Sequence, residues 1–264
     1  MRVLFIAQEV TPYLPETEMS VICRNLPQGI QEQGKEIRTF MPRYGCINER
    51  RNQLHEVIRL SGMNLIISDT DHPLIIKVAS IQSARMQVYF IDNEDYFGRK
   101  NILFGEEDDF FPDNDERAIF FARGVLETIR KLRWVPNIVH CHGWFTSLVP
   151  LYVKKAFRED PLFSKSKVIL SVYNEAFDHL FSPDFKTKAL IDGVTKKDVA
   201  TLADVNYVAI NKLAVNHSDG FVLVGNAVHP EIIDYIQLSK KPFILHNDST
   251  YIGDYGDFYD RMLR

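Results

Sequence analysis

His140-Cys141-His142-Gly143-Trp144-Phe145-Thr146-Ser147-Leu148-Val149-Pro150-Leu151-Tyr152-Val153-Lys154 follows the run Val135 to Val139 and leads into an amphipathic segment. The order reads as strand, short turn, helix. In an open α/β sheet such a turn lies at the carboxyl end of its strand, where ligands bind. Two histidines, a glycine and a tryptophan therefore stand where chemistry is expected, and the rest of the chain decides whether they perform it.

Upstream, Arg2 to Ala7 is a short apolar run suited to a buried parallel strand. Gln8 to Glu18 holds two prolines and no helical period, which predicts a loop. Met19, Ile22, Cys23, Leu26 and Ile30 then recur at helical spacing over Met19 to Gln33, with Gly34 as the stop and Pro27 as an expected kink. Glu36 to Met41 reads as a strand before the turn Pro42-Arg43-Tyr44-Gly45. From His55 to Asp92 the character changes. Val57 to Leu60, Leu65 to Ile67, Leu74 to Val78 and Met86 to Ile91 are β-rich runs with no helix between them, an insertion of extra strands. Asn93 to Phe111 is an acidic, aromatic loop, of a length that is usually functional or mobile.

Asp113-Asn114-Asp115-Glu116 offers an N-cap and acids at the positive end of a helix whose inward stripe runs Ala118, Phe121, Val125, Ile129. Downstream of it the spacing predicts strands over Ile138 to Cys141, Val168 to Val172 and Gly220 to Val224. Helices are predicted over Ser147 to Phe157, Tyr207 to His217 and Glu231 to Leu238, and a loop over Tyr173 to Lys186. The segment from His246 to Arg264 carries no assignable pattern, so residues 1–245 are taken as one domain and 246–264 as a tail. Alternating strands and helices on both sides of the insertion imply an α/β fold: a single Rossmann-like, doubly wound, mostly parallel sheet with extra inserted β-strands.

The net charge of −4 and the absence of a long basic run give no reason to expect nucleic acid as a partner. Cys23, Cys46 and Cys141 cannot all pair internally, no Cys-x-x-Cys is present, and the first apolar run is too short for a signal peptide. No run approaches bilayer length, so no membrane partner is expected. A reduced, cytoplasmic protein is the expectation.

Several stretches together resemble the bacterial glycogen synthases and plant starch synthases. These are Arg2 to Tyr13, Met41 to Gly45, Asp95 to Arg99, Asp113 to Arg117 with Phe120-Phe121, and above all His140 to Lys154. At this last stretch the family carries His-Asp-Trp-His-Thr-Ala-Leu-Val-Pro-Leu-Tyr. The resemblance covers most of residues 1 to 180 and fades afterwards. It implies a retaining glucosyltransferase of two Rossmann-like lobes (the GT-B arrangement) that moves glucose from ADP-glucose or UDP-glucose onto an α-1,4-glucan. The matching part is the N-terminal, acceptor-side lobe.

The departures matter as much as the matches. Where the family carries a Lys-Thr-Gly-Gly-Leu turn, whose amides and lysine receive the sugar nucleotide, this chain has Pro15-Glu16-Thr17-Glu18-Met19. Two carboxylates thus face the expected place of a diphosphate. Like charges about 4 Å apart repel by about 1 kcal/mol in water and about 4 kcal/mol in a partly shielded site. Gly143 replaces the family's aspartate and Phe145 a histidine, while Tyr173 replaces the histidine beside the transferring glucose; Asn174 and Trp144 remain. After Asp219 only a remnant is left for the family's second lobe.

Each candidate residue also has a plainer reading. His140 and His142 share a strand face and invite a metal, yet nothing nearby completes a zinc set, which favours packed, hydrogen-bonded imidazoles. Arg43 and Arg99 read first as solvated or ion-paired surface arginines, and second as anion-facing remnants. Glu16 and Glu18 read as solvated rather than as a hydrolytic pair, and Glu106 to Asp109 as an exposed acidic loop. Trp144 suits a core position as well as a sugar platform. The substrate-binding remnant expected is Gly143, Trp144, Tyr173 and Asn174, with no catalytic residue, no metal and no cofactor. Expected partners are an α-glucan or, weakly, a sugar nucleotide, and a protein partner or second copy. Three functions follow in order: a lobe that binds glucan or protein without transferring glucose, half of a split glucosyltransferase, or a cleft turned to a new substrate.

Overall fold

In the computed structural model, which describes residues 1–264, the first half of the chain forms β1 (Arg2–Ala7), α1 (Glu18–Glu32), β2 (Glu36–Pro42), β3 (His55–Glu56), β4 (Met63–Ile67), β5 (Thr70–Ile81), β6 (Met86–Asp92), α2 (Glu94–Phe97) and α3 (Asn114–Leu132). The second half forms β7 (Ile138–His142), α4 (Leu148–Lys154), β8 (Lys167–Val172), α5 (Phe185–Lys188), α6 (Tyr207–His217), β9 (Gly220–Leu223), α7 (Pro230–Leu238), β10 (Phe243–Leu245) and α8 (Tyr251–Met262).

One sheet runs in the order β10-β9-β8-β7-β1-β2-β6-β5-β3, with β4 paired to β5. The seven strands from β10 to β6 are parallel, and only the β3, β4 and β5 pairings of the insertion are antiparallel. The expected α/β class, with added strands on a mostly parallel sheet, is what the chain adopts. Val3 to Ala7 and Ile138 to His142 are buried on both faces, as a parallel sheet between helix layers requires. Helices α3, α4, α6 and α7 pack in succession against one another, and α1 packs against α8. The chain runs outward from β1 to β2 and β6, then returns to β7 on the other side. The switch point therefore lies between β1 and β7, and a crevice opens beyond their carboxyl ends.

Several local readings need correction. Val57 to Leu60 does not continue as a strand. Of this stretch only His55–Glu56 forms a strand, paired with β5; after a last bond from Val57 N–H to Ile76 C=O the chain turns through Leu60 N–H to Val57 C=O, leaving Ile58 exposed while Leu60 is buried. Helix α4 is shorter than Ser147 to Phe157: it stops at Lys154, after which the chain passes into turns, and Trp144–Thr146 forms a separate 3-10 turn before it. Starting at Leu148 places Pro150 in the first helical turn, where its missing N–H costs nothing. Asp113 precedes α3 but makes no capping bond, since its carboxylate is held by Arg99. Pro27 is accommodated within α1, which runs unbroken from Glu18 to Glu32 and is followed by Gly34 with φ +81°.

The residues after Asp219 do not begin another sheet. β9 and β10 extend the existing one, and α8 folds back on α1, burying Tyr255, Phe258 and Tyr259. The approach is close: a Cβ on Gly29 would meet Ile252, and one on Gly220 would meet Phe258. No helix is long and apolar enough to cross a membrane.

Candidate functional site

A cleft of about 340 Å³ opens at the switch point. The end of β1 supplies Gln8 and Glu9, the start of α1 supplies Thr17, Glu18 and Met19, and the turn after β7 supplies Trp144. The segment after β8 supplies Tyr173 to Phe177, and the loop before α3 closes one side with Leu103 and Phe104.

Thr17 is the N-cap of α1: its Oγ1 accepts from Ser20 N–H at 3.0 Å, and Ser20 Oγ accepts from Thr17 N–H at 2.8 Å. This reciprocal box fixes the Pro15-to-Met19 turn without glycines. Thr17 Oγ1 also donates to Glu9 Oε2 at 2.7 Å, and Gln8 Nε2 donates to Glu9 Oε1 at 3.4 Å. A helix N-terminus attracts anions. Here Glu9 and Glu18, acids of the chain itself, already stand beside it. The cleft lining contains three carboxyl groups, Glu9, Glu18 and Glu175, and no lysine, arginine or histidine.

Glu175 is the member that sequence reasoning passed over. Its Oε1 accepts from Trp144 N–H at 2.6 Å, while Oε2 is enclosed and has no partner in the protein. Burial, with the Glu9 carboxylate adding to it, pushes this carboxyl up to about 8, against the pull of the Trp144 N–H. The available signal was the sequence Tyr173-Asn174-Glu175-Ala176-Phe177: an acid between aromatic residues just past a fully buried strand.

Of the four expected ligand-contacting residues, Trp144, Tyr173 and Asn174 line the cleft. Asn174 is exposed. Trp144 is 1% exposed, wedged among Phe145, Phe177 and Phe181, so it backs the wall rather than offering an open face. Tyr173 is also buried, and its hydroxyl meets His142 Nδ1 at 2.8 Å. Gly143 lies beneath Met19, where an added Cβ would come within 2.7 Å of the methionine methyl. The residues presenting apolar surface at the cleft are the half-buried Phe104 and Phe177.

Behind the cleft, the His140 and His142 rings lie 4.0 Å apart, both fully enclosed. His140 Nδ1 meets the Tyr259 hydroxyl at 2.6 Å and its Nε2 meets Ser171 Oγ at 2.7 Å. Burial holds His140 well below the usual imidazole range and pushes His142 down to about 3, with His246 adding to the latter. Both are neutral at pH 7, as packed, hydrogen-bonded imidazoles should be. No group of three or more His, Cys, Asp or Glu converges as metal ligands. Arg43 is bound to Asp92 at 2.9 Å and Glu49 at 3.2 Å, and Arg99 to Asp113.

An open parallel sheet with its cleft at the β1–β7 switch point defines a Rossmann-like lobe. The starch synthase catalytic domain model matches residues 2–240, and the chain belongs to that family of glycosyltransferases. It is 38% identical over 178 residues to a glycogen synthase of Chlorobium luteolum, covering 66% of this chain and 36% of that one. It is 32% identical over 244 residues to the glycogen synthase of Chlorobaculum tepidum, covering 90% and 48%. The fold matches the catalytic domain of starch synthase IV from Arabidopsis thaliana, solved with ADP and acarbose. That match has a TM-score of 0.74 at 19% identity and covers 94% of this chain and 52% of the other. The chain thus spans between about a third and a half of the relatives it matches, and the fold is that of a GT-B lobe.

Proposed function

We propose that this chain binds an α-glucan in the switch-point cleft and does not transfer glucose by itself. The observation that carries the reading is the charge of the cleft: three carboxyl groups and no cation line it. A diphosphate brought there meets like charge from Glu9 and Glu18, and no lysine or glycine turn receives it. A neutral sugar chain meets no such repulsion. Its hydroxyls donate to the carboxylates, and its C–H faces lie against Phe104 and Phe177. The Arabidopsis relative was solved with both a nucleotide and an oligosaccharide mimic. Of these two kinds of ligand, the residues here suit the second.

The test is incorporation of labelled glucose from ADP-glucose or UDP-glucose into glycogen. The expected result is no incorporation above a protein-free control. Turnover by the chain alone overturns the reading, and turnover appearing only with a second protein favours the half-enzyme alternative.

A further inference from the structure

The sheet ends at β10, a short strand with β9 on one side and no strand on the other. Phe221 N–H bonds to Pro242 C=O and His246 N–H to Leu223 C=O, so the even-numbered residues of this strand bond toward β9. Strand geometry then turns the N–H and C=O of Phe243 and Leu245 outward, two donors and two acceptors at a bare edge. Their side chains are exposed as well, Leu245 at 66% and Phe243 at 39%. Such an edge is a template for another strand.

Between β10 and helix α8 lies a groove of about 710 Å³, floored by Ile244 and Leu245. From α8 it takes Asp254, Asp257, Arg261 and Arg264, which recur at helical spacing and so share one side of the helix. A bond from Arg264 N–H to Arg261 C=O carries the turn on past Met262. Asp260, also at the groove, lies 3.8 Å from Lys35 Nζ. The other four charges have no ion-pair partner in the chain. Two acids thus stand toward one end of the stripe and two arginines toward the other, placed symmetrically about Tyr259.

We propose that the β10 edge binds a second copy of this chain, strand against antiparallel strand, about a twofold axis at Ile244. Phe243 of each copy then stands opposite Leu245 of the other and exchanges both backbone bonds with it, which uses every outward group. The same axis lays the two α8 helices antiparallel on one face of the joined sheet. Their level along the strand agrees. His246 Nδ1 meets the Tyr255 hydroxyl at 3.0 Å just past one end of β10, while Phe258 and Met262 lie against Gly220, beside Pro242 at the other end. The middle of α8 is therefore level with Ile244. Asp257 of each copy faces Arg261 of the other, and Asp254 faces Arg264. A parallel arrangement sets aspartate toward aspartate, so the charges choose the orientation as well as adding attraction. A partner of another kind requires no such symmetry in the stripe, and this is why a second copy is the occupant.

The experiment is sedimentation velocity of the intact chain from about 1 to 500 µM, a range that captures micromolar association. Wild type is expected to shift from the mass of one chain to that of two. Raising the salt from about 0.05 to 0.5 M is expected to weaken the dimer by about tenfold, because the charge pairs are screened. Leu245→Pro removes an outward N–H and leaves the bonds to β9 in place, as proline on an edge strand permits. Asp257→Arg and Arg261→Asp each set like charges against each other. Each of these three variants is expected to weaken the dimer by about tenfold or more. An equal mixture of Asp257→Arg and Arg261→Asp is expected to recover it, since each chain then offers the charge the other lacks. Circular dichroism confirms that every variant is folded. A single-chain mass for wild type at every concentration overturns the proposal. So does a dimer indifferent to Leu245→Pro, or a mixture of the two charge variants that associates no better than either alone.

Discussion

Gly143 carries the backbone through φ 84° and ψ 160°, a region open to essentially no residue but glycine. The turn after β7 is thus built around the absence of a side chain, and Met19 fills the space beside it. Gly143→Ala is expected to lower stability by about 1–3 kcal/mol, read as a shift in the urea midpoint. A midpoint unchanged within error would show that the turn relaxes freely. The stretch around Gly143 was legible as strand and turn from its residues. The buried carboxyl that takes the Trp144 N–H was not, because Glu175 lies on another strand end and only the β7–β8 register brings the two together.

At the scale of elements, α8 is what the sequence hid best. Tyr251 to Met262 mixes aspartates with aromatic residues, and its inward face becomes apparent only once α1 and the sheet lie beneath it. Tyr259 reaches His140 across 119 positions of sequence, a contact no local pattern announces. Phe258→Ala empties a fully packed site and is expected to cost about 3–5 kcal/mol, measured by chemical denaturation. A cost below 1 kcal/mol would mean that α8 is loosely docked. Strands β2, β5 and β6 are joined differently, by Arg43 just past β2 and Lys77 within β5 around Asp92 at the end of β6, whose side chain is 3% exposed. Both cations lose their buried partner in Asp92→Ala. A loss of about 3–5 kcal/mol is expected, against little change for the exposed Glu16→Ala. Equal midpoints for the two variants would contradict the role given to Asp92.

For the whole molecule, the alternation of strands and helices made the sheet legible, and the added strands declared themselves by β-rich runs without helices. The antiparallel edge of the insertion was less so, since Val57 to Leu60 has strand composition but turns as soon as β3 has paired. The candidate cleft was half legible: the lost glycines and the acids at Pro15 to Met19 pointed to a changed site, while the wall formed by Phe104 and Phe177 depends on loops meeting in space. The result is a family fold whose crevice is lined by three carboxyl groups and no cation.

The measurement that tests this most directly is a pair of calorimetric titrations at pH 7, one with maltoheptaose and one with ADP-glucose, under identical conditions. Saturable heat is expected with the oligosaccharide and none with the nucleotide sugar at matched concentration. Tighter binding of ADP-glucose than of maltoheptaose would contradict it.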